Sequence, residues 1–383
     1  MAPLTMILAA AVGFCLLLQL GSVALAQIKQ SLAAKGGMAG LPKITVLRPV
    51  CGLENNLQET LASSFTADYP NFEIIFCVAD ARDPVVPLVR QLLAAHPTVQ
   101  AQLLIGEDRI SGNPKLNNLA KGWALAKGEF VVMIDSNVLL PRDYLQRLLA
   151  EWRPGTGLVT SPPAGIRPIG FAARLECGFL NSFQGRWQLA SAALGNGFAQ
   201  GKILFWQRDF LNAAGGLAAL GHEMAEDVAS TKLVRAAGLQ VRLTRALFDQ
   251  PIGARSFDAV WRRQLRWSKV RRLGFPRLYL AEILAGSALP LLAALILAGL
   301  GVIGPSLVLA LMLLWYGAEL ALARASGWPA GPLDLLAWLC RDAILPGLWL
   351  AAWASDSFDW RGNAMRPEDV LPPATRGAAH AKP

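Results

Sequence analysis

Three acidic sites in this sequence fall where a secondary-structure element should begin or end. Asp80 and Asp83, in Asp80-Ala81-Arg82-Asp83, follow an apolar run that closes at Val78. A carboxylate there can accept hydrogen bonds from a nucleobase or ribose. It can equally cap a turn, since Asp83-Pro84 also opens a helix well. Asp135 ends the run Phe130-Val131-Val132-Met133-Ile134. An acid at that point adds nothing to packing, and an unpaired buried carboxylate is costly. Mg²⁺ or Mn²⁺ takes oxygen ligands, often one or two carboxylates plus substrate phosphates. Such an ion would neutralise a diphosphate leaving group. Glu226 and Asp227 open a helix expected over 228–237. A carboxylate there can act as general base on an acceptor hydroxyl, or can simply favour the helix start through the macrodipole. His222-Glu223 does not begin a zinc-binding H-E-x-x-H, because the second histidine position is Glu226.

Cationic and aromatic side chains offer partners for these acids. Arg263 and Arg266 are spaced i, i+3 and share a helix face, which suits phosphate recognition. Trp267 follows directly and can stack on a sugar or close a pocket. Gly112-Asn113-Pro114-Lys115 is a loop with one lysine before a helix, suited to a phosphate contact. It lacks the G-x-x-x-x-G-K-[ST] spacing of a Walker loop. Gly201-Lys202 precedes an apolar strand and could line an acceptor pocket; Gly195-Asn196-Gly197 reads as a turn.

The elements that must position these residues alternate. Strands are expected at Ile44–Leu47, Glu73–Val78, Gln102–Ile105, Phe130–Ile134 and Leu158–Thr160. Helices are expected at Glu54–Phe65, Val85–Ala95, Lys115–Ala126 and Pro141–Trp152. This α/β repetition implies a mostly parallel sheet with helices on both faces and ligands at the carboxyl ends of its strands.

The ends of the chain differ from its centre. Hydrophobic residues make up 54% of the 383 residues and charged ones 16%, below the usual quarter or so. Residues 4–26 are uncharged and long enough to span a bilayer. Lys29, Lys35 and Lys43 follow, which puts that side in the cytoplasm and favours an uncleaved anchor over a signal peptide. Residues 171–194 and 256–279 are amphipathic, and the second mixes Trp261 and Trp267 with many arginines, as suits a membrane surface. Apolar segments follow at 283–304, 305–323 and 333–354. The last carries Arg341 and Asp342, so a re-entrant or broken segment with paired charges is expected. Complete spans throughout would put the tail outside, although it carries Arg361, Arg366, Arg376 and Lys382. The expected organisation is an anchor over 1–28, a catalytic domain over 41–255, an interfacial helix over 256–280, membrane segments over 281–356 and a polar tail over 357–383.

The net charge of +9 fits cytoplasmic flanks and anionic lipid better than nucleic acid. Five cysteines without a C-x-x-C pair read as free thiols. Three histidines, far apart in sequence, argue against a multi-histidine metal site.

Taken in order, Arg48-Pro49 with Gly52, Asp80/Asp83, Asn113-Pro114-Lys115-x-Asn117-Asn118, Asp135-Ser136, Glu226-Asp227 and Arg263-x-x-Arg266-Trp267 resemble the ceramide glucosyltransferase family. These are membrane GT-A enzymes of the D, D, D, (Q/R)xxRW type, and the resemblance covers residues 44–275. It implies a GT-A nucleotide-sugar-binding domain, UDP-glucose as donor, a divalent cation, inversion at the anomeric carbon and a ceramide hydroxyl as acceptor. It further implies that Asp80 and Asp83 bind the uridine part and that Asp135 binds the metal–diphosphate. Asp227 becomes the base, with Glu226 beside it, and Arg263, Arg266 and Trp267 close on diphosphate and acceptor. The second acidic motif departs from the family's Asp-x-Asp, because Asn137 stands at its third position. Ala/Leu-rich spans and short length point to a bacterial inner-membrane enzyme with a cytoplasmic catalytic domain. Transfer of another sugar, such as N-acetylglucosamine, to a hopanoid or diacylglycerol is the alternative. A transporter or membrane scaffold is disfavoured, since polar groups gather in the centre of the chain and not in the spans.

Overall fold

The computed structural model describes residues 2–32, 38, 40–360 and 363–370. The chain divides into two compact units. The first holds the described parts of Ala33–Pro162, Asn196–Pro251 and Asp356–Pro383. The second holds those of Met1–Leu32, Pro163–Gly195 and Ile252–Ser355. Segment 163–195 therefore groups with the apolar helices, not with the continuous 41–255 domain expected from the sequence.

The first unit is built on a seven-stranded sheet. Its strands β1 (Ile44–Val50), β2 (Phe72–Val78), β3 (Ala101–Ile105), β4 (Phe130–Ile134) and β5 (Thr156–Thr160) follow in sequence. The chain then leaves for β6 (Pro163–Ile169) and returns for β7 (Ile203–Gln207) and β8 (Gln240–Leu243). The order in the sheet is β3-β2-β1-β4-β7-β5-β8. β1, β2, β3 and β4 pair in parallel, as do β5 and β8. β7 runs antiparallel to both its neighbours, with Ile134 opposite Ile203. This one reversed strand has a direct consequence: the residues that lead into β7 lie beside the residues that leave β4.

β1, β2 and β4 are buried along almost their whole length and mostly apolar because both faces are covered. Val46, Ile74, Phe76 and Val132 point to one face, against Leu61, Val89 and Leu145. Leu47, Ile75 and Met133 point to the other, against Leu116, Leu119 and Trp123. The period of two along each strand produces this division.

The helices of this unit are α2 (Leu57–Ala62), α3 (Val86–Ala95), α4 (Pro114–Leu125), α5 (Tyr144–Ala150), α8 (Arg208–Ala213), α9 (Gly216–Ala219) and α10 (Glu226–Ala236). The helix expected over Glu54–Phe65 is shorter and continues as a 3₁₀ turn over Ser63–Thr66; that expected over Pro141–Trp152 is the shorter α5. α10 starts two residues earlier than expected, so that Glu226 and Asp227 form its first turn.

In the second unit, α1 (Ala2–Ser31) and α14 (Pro305–Ala325) are long and apolar enough to cross a membrane. α12 (Pro276–Glu282), with the turn after it, and α13 (Ala288–Gly299) make a third candidate only as one broken span, bent by 48°. α15 (Pro332–Ala351) carries Arg341 and Asp342 and is not among these candidates. The remaining helices are α6 (Phe171–Gly178), α7 (Arg186–Ala193) and α11 (Phe257–Gly274), with a π-helical stretch Phe179–Gly185 joining α6 to α7. The expected pairing of Arg341 with Asp342 is present at 2.8 Å and is wider than expected. Arg341 also meets Glu319 at 3.0 Å and donates to Ser182 Oγ at 2.7 Å, while Glu319 lies 3.8 Å from Arg186. All four charges are buried, and each has an opposite partner. Of the basic tail residues, Arg366 pairs with Glu368 at 3.4 Å; Arg361, Arg376 and Lys382, like Lys35, lie outside the described residues.

Candidate active site

The site grows from the carboxyl end of β4. The chain leaves the sheet there, and Asp135 projects from the first residue past the strand. Its backbone N–H donates to Lys202 O at 3.0 Å, a bond that continues the β4–β7 ladder by one step. The antiparallel direction of β7 thus delivers Gly201 and Lys202 to Asp135. Below this loop lies Arg48, fully buried in β1. Its guanidinium donates to the carbonyls of Asp135 at 3.1 Å, Ser136 at 3.0 Å and Val138 at 3.3 Å, and to Ser64 Oγ at 2.9 Å. A buried charge is tolerable only with such partners, and these fix the path of the loop.

Asp135 meets two ammonium groups. Lys115 Nζ lies 2.6 Å from Oδ1 and Lys202 Nζ 3.1 Å from Oδ2. Burial opposes the charged form of Asp135, but the two lysines outweigh it and hold the carboxyl well below its usual range. The same balance, burial against Asp135 and Glu226, raises the Lys115 ammonium above its usual range.

Lys115 reaches this point because Asn113 caps α4, its Oδ1 accepting from the N–H of Lys115 at 2.9 Å, and Pro114 occupies the first turn. The amide of Asn113 donates in turn to Glu226 Oε2 at 3.0 Å. Lys115 Nζ also meets Glu226 Oε1 at 2.8 Å and donates to Gly201 O at 2.6 Å. One ammonium therefore joins Asp135 to the acidic start of α10. Gly201 permits this closeness: a Cβ there would lie 2.8 Å from Glu226 Oε1.

Asp227 differs from Glu226 in its partners. Its carboxylate accepts backbone N–H groups, from Gly201 at 3.2 Å and from Val228 at 2.8 Å. Burial, together with the charge of Glu226, pushes its pKa up to about 6. A carboxylate so tuned is ionised at neutral pH and is a stronger proton acceptor than an ordinary one.

Asp80 and Asp83 divide into different roles at the end of β2. Asp83 is a brace: both its oxygens accept the N–H of Gly52, at 3.0 and 2.9 Å, and Oδ1 accepts the N–H of Val85 at 2.9 Å. Gly52 has φ +66°, a conformation that favours glycine. Asp80 is exposed and pairs with Arg82 at 2.9 Å.

Arg263, Arg266 and Trp267 lie on α11, in the second unit. Arg263 has a partner there, the fully buried Glu176 of α6, at 2.8 Å. Trp267 packs against Ala173, Cys177, Leu180 and Ile252, and Arg266 is half-buried.

Among the described residues, no cluster of three or more His, Cys, Asp or Glu side chains is arranged to hold a metal ion. Asp135 fits the lesser role of a single protein ligand, the kind completed by substrate phosphates and water. Asn137 offers a neutral oxygen that already accepts from Lys202 at 2.9 Å, and its amide donates to Glu54 Oε2 at 3.1 Å.

Asp135, Glu226 and Asp227, legible from their places at element ends, and Lys115, legible from the loop before a helix, converge. Arg48 and Asn113 are supporting residues not assigned a part in the chemistry, and Lys202, expected to line an acceptor pocket, stands against Asp135. Arg48 had a visible signal, a charge inside an apolar strand. Lys202 is visible as a cation before an apolar strand, but its place at Asp135 is not, because nothing in the run Ile203–Gln207 reveals that the strand is reversed.

Residues 5–369 match glycosyl transferase family 21. The chain belongs to that family. Among its curated relatives is ceramide glucosyltransferase 3 of Caenorhabditis elegans, 27% identical over 348 residues, which cover 88% of this chain and 75% of the relative. Ceramide glucosyltransferase of Candida albicans is 41% identical over a shorter stretch of 107 residues, covering 25% of this chain and 20% of the relative. A mannosyltransferase from Pyrobaculum calidifontis, solved in complex with GDP-Man and Mn²⁺, superposes with a TM-score of 0.56 at 18% identity, over 92% of this chain and 98% of that one. This family 21 member therefore has a glycosyltransferase fold, and the expected GT-A architecture holds in spite of the reversed strand.

Proposed function

We propose that this family 21 glycosyltransferase moves glucose from UDP-glucose to the hydroxyl of ceramide, with inversion, at the cytoplasmic face of a membrane. The observation that carries this reading is Lys115. Its ammonium ties Asp135, the carboxylate suited to the donor's diphosphate, to the Glu226–Asp227 pair suited to an acceptor hydroxyl. Donor and acceptor chemistry are thereby adjacent. The names of the curated relatives support ceramide as acceptor and glucose as the sugar. The apolar α1 and α14 agree with work at a lipid surface.

Asp227 is assigned as the base. Glu226 is bound at one oxygen by Lys115 and at the other by Asn113, so it serves to orient Lys115 and to raise the basicity of its neighbour. Asp227 takes the proton of the acceptor hydroxyl as that oxygen attacks the anomeric carbon. The bond to UDP breaks on the opposite face, which inverts the configuration. Asp80, on the exposed rim after β2, is assigned to the uridine part, and Asp83 holds the loop that carries it. Arg266 and Trp267 are assigned to the diphosphate and acceptor, with Arg263 fastened by Glu176.

The charges near Asp135 favour a divalent cation. Arg48, Lys115 and Lys202 stand against Asp135, Glu226, Asp227 and Glu54, so the cations do not outnumber the carboxylates. A diphosphate entering this group needs further positive charge. Mg²⁺ or Mn²⁺, held by Asp135 with the donor's phosphates, would supply it and stabilise UDP as a leaving group.

The test is radiolabelled sugar transfer by membranes containing the protein. UDP-glucose and ceramide should give a labelled, base-stable glycolipid with the β configuration. Label appearing only with UDP-N-acetylglucosamine, or only on a hopanoid or diacylglycerol, would reassign the substrates and keep the chemistry. No labelled lipid from any UDP-sugar would end the proposal.

A further inference from the structure

Lys202 is not accounted for by the acid and base chemistry, yet it is buried and aimed at Asp135. The two lysines on that carboxylate are not equivalent. Lys115 directs its three N–H donors to Asp135 at 2.6 Å, Glu226 at 2.8 Å and Gly201 O at 2.6 Å. It is pinned from both sides. Lys202 meets Asp135 at the longer distance of 3.1 Å, and at 2.9 Å it meets the neutral amide oxygen of Asn137. Of the two ion pairs at Asp135 the one with Lys202 is the longer, so a charged competitor for Asp135 draws first on that pair.

We propose that Lys202 is a resident counter-cation of the donor site. It neutralises Asp135 while the donor is absent and turns to the donor's diphosphate when the donor arrives. Asp135 is released to a divalent cation in the same event. The protein alone then captures such an ion poorly, and captures it well together with the nucleotide. Asn137 belongs to this arrangement. A second acid at that position would add a permanent ligand and bind Lys202 itself, removing the dependence on donor. This inference rests on the assignment of the site to a UDP-sugar.

The test uses the full chain purified in detergent, with Mn²⁺ as the metal probe and UDP as the nucleotide probe. Free Mn²⁺ is read by its paramagnetic resonance signal, and UDP binding by calorimetry with and without metal. In the wild-type protein, UDP should tighten Mn²⁺ binding by about tenfold or more. Lys202→Met should tighten Mn²⁺ binding in the absence of UDP by about tenfold, and weaken metal-free UDP binding by a similar factor. Asn137→Asp should also tighten Mn²⁺ binding without UDP. Lys202→Arg, which keeps the charge, should behave as wild type.

A Lys202→Met protein that matches wild type in both assays overturns the proposal. If that variant does not fold, judged by thermal unfolding, Asn137→Asp decides: unchanged Mn²⁺ affinity overturns it. Failure of the wild-type protein to bind UDP under any metal condition would remove the function assigned above, and this inference with it. Normal UDP binding with Mn²⁺, joined to an indifferent Lys202→Met, removes only the role of Lys202.

Discussion

Glu226 and Asp227 are neighbours with the same charge, and what touches them separates their roles. Asp227→Asn should lower turnover by about 10²–10⁴-fold, the usual contribution of a general base, while UDP binding stays near wild type. Retained turnover would move the base to Glu226. The pKa of about 6 for Asp227 also sets a direction for pH. The base is ionised above that value, so turnover should be full near neutrality and fall as pH drops through about 6. Asp227→Glu, if active, should shift that limb. Arg48 acts differently, through the loop it holds. Arg48→Met would strand the carbonyls of Asp135, Ser136 and Val138 without their donor. A loss of about 2–3 kcal/mol in thermal or denaturant unfolding is expected. At this scale the sequence was informative where a charge interrupts an apolar pattern, as at Asp135. It was silent on which neighbour each charge meets. The partnership of Asn113 with Glu226 crosses 113 residues of chain and leaves no local trace.

Among the elements, the reversed strand β7 does most to build the site. A short apolar run such as Ile203–Gln207 shows that a strand is buried but not which way it points, so a mostly parallel sheet was the natural expectation. The four parallel strands β1 to β4 conformed to it. The reversal turns the start of β7 toward the end of β4 and places Lys202 where a parallel strand would have carried it to the far edge. Helix α11 shows the opposite case, where the spacing was readable and the partner was not. The i, i+3 arginines do share a helix, but Arg263 is engaged by Glu176 of α6. Glu176→Gln should destabilise the protein by about 1–2 kcal/mol, since Arg263 is partly exposed and the pair is discounted accordingly. Combining it with Arg263→Gln should cost less than the sum of the two single changes, as an amide pair replaces the ion pair. Additive losses in a double-mutant cycle of unfolding midpoints would show that the two side chains do not interact.

For the whole molecule, α1 and α14 are legible from hydropathy alone as helices long and apolar enough to cross a membrane, whereas the segment expected over 333–354 is not among such helices. The grouping of the apolar helices was not legible, because it joins three separate stretches of chain. The buried charges of the second unit illustrate why: Arg341, Asp342, Glu319 and Arg186 read singly as liabilities within apolar helices, and only together do they balance. Arg341→Met should leave Glu319 and Asp342 without their strongest partner and cost about 3–5 kcal/mol, seen as a lower unfolding temperature in detergent. Mass spectrometry of lipid extracts reads most directly whether a glucosylated ceramide leaves this enzyme. Cells expressing the protein and supplied with ceramide should contain a hexosylceramide that cells expressing Asp227→Asn lack. Identical lipid profiles from the two, with both proteins present at equal levels in the membrane, would contradict the proposed transfer.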